Sequence, residues 1–305
     1  MKYIKISNID MNASEISLGC MRIADLTNQE ISTLIHTAMD EGINFFDHAD
    51  VYADGQCEEK FSAALGINAD LREKMILQTK VGIRQGSFDF SKEHILKAVD
   101  GSLKRLRTDY VDVLLLHRPD ALVEPEEVAE AFTILETSGK VKYFGVSNQN
   151  PMQIELLTKF VKQRIHFNQL QLSIMHTGMI DAGLNVNMQI GHSINRDGSI
   201  LDYCRLKDII VQPWSPFQYG FFEGVFLDNP KFPELNQTID SVAEERGVTN
   251  TAIAIAWLLR HPARMQPILG TTNPQRVQDA CKASGIRLTR QEWYGIYLAA
   301  GNKLP

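Results

Sequence analysis

Short apolar runs recur along this chain, separated by longer segments whose apolar residues fall three or four positions apart. The runs cover residues 16–19, 44–46, 75–80, 111–116, 142–146, 166–169, 209–212 and 267–269. They are brief and mostly apolar throughout, which is how strands buried on both faces read. Helix signals lie between them. Thr27, with Glu30 three residues on, forms a capping box for a helix that runs toward Glu41. Ser91 opens another, with Ile95, Leu96, Val99, Leu103 and Leu106 at helical spacing. Residues 126–138 make a third, stopped by Gly139, and Asn150-Pro151 starts a fourth with proline at the first helical position. Strands alternating with helices through eight units predict an α/β fold that closes into a (β/α)8 TIM barrel. An open dinucleotide-binding sheet would want Gly-x-Gly-x-x-Gly after its first strand, and the sequence has none.

Two segments break the rhythm. Residues 173–195 are rich in Gly, Asn and Met, and residues 217–233 are aromatic and glycine-rich. Both are expected as long functional loops at the C-terminal mouth of the barrel. Residues 289–300 follow the eighth unit and predict an additional C-terminal helix. No linker or low-complexity stretch divides the chain, so residues 1–305 are expected to form a single barrel domain.

Composition narrows the class further. The apolar fraction is 44% and the charged fraction 22%, ordinary for a globular chain. A net charge of −6 argues against nucleic-acid or anionic-membrane partners. Met1 to Ile6 contain Lys2 and Lys5 and no apolar core of a signal peptide, and no run approaches a membrane span. Cys20, Cys57, Cys204 and Cys281 are widely spaced and form no Cys-x-x-Cys pair, so they read as reduced thiols of a cytoplasmic protein.

Functional groups of such a barrel sit at the carboxyl ends of its strands. The second strand runs into Asp47-His48-Ala49-Asp50-Val51-Tyr52, the third ends on Lys80, and the fourth ends on His117. These four end residues, Asp47, Tyr52, Lys80 and His117, converge on one mouth. Reducing a carbonyl needs hydride at carbon and a proton at oxygen. A free tyrosine titrates near ~10, and a nearby ammonium is expected to lower that value. Lys80 can supply the ammonium, Asp47 its counter-ion, and His117 a hydrogen bond to the carbonyl oxygen. A metal site is not expected, because of the side chains here only His117 would join the Asp47–Asp50 segment.

The pattern Asp-x-Ala-x-x-Tyr, a strand-end Lys and Leu-Leu-His-x-Pro resembles the catalytic tetrad of the aldo-keto reductases. Asp-His-Ala-Asp, Gln56-Cys57-Glu58 and His117-Arg118-Pro119-Asp120 are similar to its bacterial, YdhF-like branch. The resemblance extends through Gly139-Lys140-Val141, Phe144-Gly145-Val146-Ser147-Asn148, Asn168-Gln169 and Trp214-Ser215-Pro216. It implies an NADPH-dependent reductase of aldehydes or ketones, with NADPH/NADP+ as cofactor and a small carbonyl compound as substrate. Ser147, Asn148 and Gln169 would bind the nicotinamide carboxamide, and Trp214 would stack on its ring. Gly19, Cys20, Ser215 and Pro216 join the implied cofactor-binding set.

Leu269-Gly270-Thr271-Thr272 leads through Pro274 into a helix whose start suits a phosphate, and Arg276 resembles the arginine that reads the adenosine 2′-phosphate. The sequence also departs from the family pattern. His48 stands in place of Thr, Ala53 of Gly, Gly270 of a phosphate-side Lys, and Asp279-Ala280 of Glu-Asn. His48 and Arg118 are candidate substrate contacts. Arg118 has two readings: a clamp for a substrate carboxylate, or a partner of Asp120. A rival function is an NADPH-binding regulatory module of the same fold with slow turnover.

Overall fold

The structure is a computed structural model that describes residues 1–6 and 9–305. Eight parallel strands form the barrel: β1 Ser17–Gly19, β2 Phe45–Asp47, β3 Ile76–Val81, β4 Val111–Leu116, β5 Val141–Ser147, β6 Ile165–Gln171, β7 Ile210–Trp214 and β8 Ile268–Leu269. Their order in space is their order in sequence. β8 pairs with β1 through Ile268 and Ser17. The seam on the other side is closed just ahead of β8, where Gln266 N donates to Val211 O at 2.9 Å. All eight predicted runs are strands, within two residues at each end. The expected (β/α)8 barrel is therefore the fold.

Each strand is followed on the outside by a helix. These are α1 Asn28–Asp40, α2 Gln56–Leu65, α3 Lys92–Leu106, α4 Pro125–Thr137, α5 Pro151–Thr158, α6 Ile200–Leu206, α7 Asn250–Leu259 and α8 Pro274–Cys281. The start signals act as read. Thr27 and Glu30 close a capping box, Ser91 accepts from His94 N, and Asn150 with Gln153 makes a second box. Outward strand residues such as Leu18, Phe46, Leu77, Leu114 and Phe144 pack against the inner faces of these helices in one continuous core. Each such fully buried side chain contributes about 1.5–3 kcal/mol. Gly145 is required by close strand approach, since a Cβ there would lie 2.5 Å from Leu115 Cδ2 and 2.8 Å from Phe167 O.

Inside the barrel, the alternation of strand residues gives a floor and a mouth of different character. Phe45, Val113, Leu115, Phe167 and Ile210 form an apolar cluster with Ile6, Met11 and Ala13 of the N-terminal segment. That segment is a hairpin in which Tyr3–Lys5 pairs with Asn12–Ser14. Two residues further along several of the same strands the inward positions turn polar: Asp47, Gln78, Gln169 and Gln212. Register sets these side by side, with Asp47 opposite Gln78 and Gln169 opposite both Ser147 and Gln212.

The C-terminal helix, Arg290–Ala299, is present and docks on α7. Trp293 stacks on Trp257 at 4.6 Å and 5°, and each indole Nε1 donates to the other residue's carbonyl at 3.0 Å. A further helix outside the repeat, Pro233–Arg246, was not anticipated. The two long segments are also more ordered than loops. Gly178–Leu184 is a short helix, fastened when Tyr297 Oη donates to Asp181 at 2.7 Å. Residues 217–233 fold back as a hairpin that pairs Gln218–Tyr219 with Gly224–Val225.

Candidate active site

The polar mouth is built around Lys80, whose side chain is fully buried. Its Nζ donates to Asp47 Oδ2 at 2.8 Å, to the His48 carbonyl at 2.8 Å and to Tyr52 Oη at 3.0 Å. Three donors thus meet three acceptors, which exhausts the ammonium. Burial opposes the charge on Lys80, but Asp47 and Tyr52 together raise its pKa above the ordinary lysine value. Asp47 Oδ1 accepts from Gln78 Nε2 at 2.6 Å and from Gln169 Nε2 at 3.1 Å.

Tyr52 differs from the expectation in sign. Burial raises its pKa above the ordinary phenol value, and the neighbouring ammonium of Lys80 only partly offsets this. The hydroxyl therefore stays protonated through neutral pH. His117 lies beside it, the rings 5.9 Å apart and nearly perpendicular. Burial, with help from Lys80 and Arg118, drives the His117 pKa well below its usual value, so its imidazole is neutral. A neutral imidazole can donate one hydrogen bond without adding charge.

Tyr52 is held by a strained turn. Ala53, Asp54 and Gly55 follow it with φ of 47°, 54° and 88°. For Ala53 and Asp54 the left-handed region costs on the order of 1–2 kcal/mol each. Gly55 is needed for space as well, because a Cβ would meet Arg105 Cδ at 2.7 Å. Arg105 donates to Glu58 at 2.8 Å and Thr79 donates to the same carboxylate at 2.6 Å, tying the turn's following helix, α2, to β3.

A cavity of about 510 Å³ opens over this centre. Asp47, Tyr52, His117, Arg118, Ser147, Asn148, Gln169, Trp214, Ser215 and Pro216 line it, as do Gly19, Gly270, Thr271, Thr272 and Arg276. Asn148 donates to Ser147 Oγ at 2.7 Å and accepts from Trp214 Nε1 at 3.2 Å, so these side chains form one wall. Gln169 commits Nε2 to Asp47 and Gln212, leaving its oxygen as the acceptor available to a carboxamide. At the other end, Asn273 caps α8 by accepting from Gln275 N at 2.9 Å, and Arg276 is exposed in the first turn.

Two of the anticipated residues lie elsewhere. Cys20 is fully buried behind the cavity wall. His48 is also fully buried, packed edge-on against Phe61 at 4.5 Å, with its pKa held down to about 3 by burial and by Lys80. Strand alternation explains it: if Asp47 points inward, the next residue points outward, so His48 offers the site its carbonyl and not its ring. Arg118 does line the cavity, with its guanidinium 5.6 Å from the centre of the Trp214 ring. Asp120 instead accepts from Phe90 N and Leu122 N. Among the described residues no carboxylate pairs with Arg118.

Arg22 and Phe222 were overlooked, and both line the cavity. Phe222 stacks on Trp214 at 5.8 Å. Arg22 reaches across to donate to Gly270 O at 3.2 Å, and its Nη1 is the nearest atom, 3.9 Å, to where a Gly270 Cβ would sit. Reading past the first strand as past the others, into Cys20-Met21-Arg22, would have found it.

The model of the Aldo/keto reductase family matches residues 15–297. The chain is 36% identical to the uncharacterized oxidoreductase YcsN of Bacillus subtilis, over 97% of each chain. It is 33% identical to the oxidoreductase YdhF of Escherichia coli, over 94% of this chain and 93% of that one. An aldo-keto reductase from Klebsiella pneumoniae solved in complex with NADPH superposes with a TM-score of 0.77 at 24% identity, over 97% and 93% of the two chains.

Proposed function

The chain belongs to the aldo/keto reductase family, and from that premise we propose that it reduces aldehyde or ketone carbonyls to alcohols with NADPH, Tyr52 serving as the proton donor. The observation that carries the reading is the set of three contacts at Lys80 Nζ, which places a fixed ammonium 3.0 Å from a protonated phenol in a cavity wall. The donor set suits a nicotinamide dinucleotide. The Gln169 oxygen and the Ser147–Asn148 pair face one end of the cavity, Trp214 offers an aromatic face, and Thr271, Thr272 and the α8 N-terminus offer phosphate donors. A reduced nicotinamide bound by these residues would supply the hydride.

The chain's own groups supply the rest. Neutral His117 donates to the carbonyl oxygen and aims it at Tyr52. Tyr52 transfers its proton to that oxygen as negative charge develops, and Lys80 stabilises the resulting phenolate. Asp47 keeps Lys80 charged and in place. The enzyme is read as one catalytic unit over residues 1–305 in the cytoplasm, a setting its four buried free thiols suit. NADPH consumption with a panel of aldehydes tests the reading. Turnover above background supports it. Tight NADPH binding with no turnover on any member would instead indicate a regulatory module.

Cofactor choice falls to Arg276 and Arg22. Both are exposed guanidinium groups on the cavity wall, at the end where Thr271 and Thr272 lie. A charged hydrogen bond to a 2′-phosphate contributes roughly 1.5–3 kcal/mol, or about 10- to 150-fold. Arg276→Ala is expected to weaken NADPH by about that factor and to leave NADH nearly unchanged, as read by fluorescence titration. Arg22→Ala should act in the same direction. Equal wild-type affinity for the two cofactors would refute the phosphate-reading role.

Arg118 points to the substrate. It is half-buried, faces the cavity and has no carboxylate partner among the described residues. Its fork geometry favours a carboxylate or another anion. Anionic aldehydes should therefore show higher kcat/KM than neutral ones of matched size, and Arg118→Gln should erase the difference. Equal values in the wild type would reject the clamp.

A further inference from the structure

We infer that Gln78, backed by Gln212, is a positioning residue for the proposed carbonyl reduction: it fixes the Asp47 carboxylate so that Lys80 stays on Tyr52. Asp47 has two oxygens with different duties. Oδ2 takes the ammonium at 2.8 Å, and Oδ1 takes Gln78 Nε2 at 2.6 Å. A buried carboxylate keeps its charge and direction only when its lone pairs are met by donors. The second donor to Oδ1 is Gln169, 3.1 Å away, whose amide borders the cavity and whose orientation a ligand can disturb. Gln78 is fully buried, so no ligand reaches it.

The orientation of the Gln78 amide is itself determined. Its Nε2 donates to Gln212 Oε1 at 3.0 Å, and Gln212 Nε2 donates back to Gln78 Oε1 at 3.2 Å. Gln212 gives its other proton to Gln266 Oε1 at 2.9 Å, and Gln266 Nε2 donates to Ser14 O in the N-terminal hairpin at 2.6 Å. The column ends on a carboxylate above and a main-chain carbonyl below, both pure acceptors. Turning the Gln78 amide over would set its oxygen against the carboxylate and break the reciprocal pair with Gln212. The inward layer beneath this column is apolar, formed by Phe45, Val113, Leu115, Phe167 and Ile210. Apolar filler suits this interior, and a glutamine there carries a desolvation cost that the hold on Asp47 accounts for.

The test uses Gln78→Glu and Gln78→Met. In Gln78→Glu the new carboxyl, while protonated, donates its O–H to Asp47 as the amide did. Once it ionises, two adjacent carboxylates repel and the Lys80 geometry is lost. Its kcat profile should match the wild type at low pH and fall at least ~10-fold along a new alkaline limb. Gln78→Met has no donor at any pH and should be depressed by about 10- to 100-fold throughout. Cofactor affinity should hold in both variants. A Gln78→Glu profile parallel to the wild type, with Gln78→Met at wild-type turnover, would overturn the inference. Failure of the wild type to reduce any carbonyl would count against the proposed function alone. In that event the buried Lys80 ammonium, followed in nitrogen-15 lysine spectra, should titrate with the new carboxyl in Gln78→Glu. A pH-invariant signal there would refute the positioning role by itself.

Discussion

Replacing Tyr52 with phenylalanine is expected to cut carbonyl turnover by about 10² or more and to leave NADPH affinity nearly unchanged. The change removes one oxygen from a ring whose packing beside His117 stays in place. The lost atom is the one that Lys80 Nζ contacts at 3.0 Å. It is also the one that burial keeps protonated, so its deletion removes the acid in the form that reduction requires. Water entering the vacated space is a poorer and unpositioned donor. Steady-state kinetics alongside cofactor titration checks the result. Near-wild-type turnover in purified Tyr52→Phe protein would remove Tyr52 from the proton-donor role.

Lys80→Met should be more damaging, because the same ammonium serves folding as well as chemistry. Its removal leaves the Asp47 carboxylate buried with only the neutral amides of Gln78 and Gln169 against it. Breaking a buried ion pair by deleting one partner typically costs about 3–5 kcal/mol. Turnover should fall by ~10² or more, since the developing phenolate loses its cation. The double variant Lys80→Met with Asp47→Leu should recover much of the stability and none of the turnover. Denaturant unfolding and kinetics on the three proteins read both effects. If Lys80→Met is as stable as the wild type, the pair does not hold the barrel mouth together. The pH dependence has a definite sign. Because Lys80 is raised in the folded state, its contribution is complete below the ordinary lysine value and fades as pH climbs through the raised one.

Much of this was legible in the sequence because of how a parallel barrel buries its strands. With both faces covered, a run such as Val113 to Leu116 is continuously apolar and stands out from its surroundings. The proposed catalytic residues followed from the rule that function gathers where such runs end, which brought Asp47, Lys80 and His117 together without any knowledge of contacts. The same rule, followed by one more step of alternation, would have turned His48 outward. What stayed hidden depends on pairing across the barrel. Gln78, Gln169 and Gln212 sit on three different strands, and nothing along the chain shows that they meet. Gly178–Leu184 was hidden for a local reason: seven residues with two glycines carry little helical propensity, and its Asp181 is fixed by Tyr297 far away in sequence. The sign of the Tyr52 shift is not legible either, because desolvation of the phenol outweighs the Lys80 charge and depends on packing from distant parts of the chain.

The placing of the three tryptophans gives the molecule two separate optical reporters. Trp214 lies in the cavity wall, so its emission responds to whatever fills the cavity. Trp257 and Trp293 stack nearly face to face at 4.6 Å in the core, a fixed asymmetric setting that gives aromatic side chains a near-ultraviolet circular dichroism signal. The part of that signal that comes from this pair depends on the C-terminal helix staying docked on α7. Ligand binding and peeling of that helix can therefore be followed independently in one unlabelled sample.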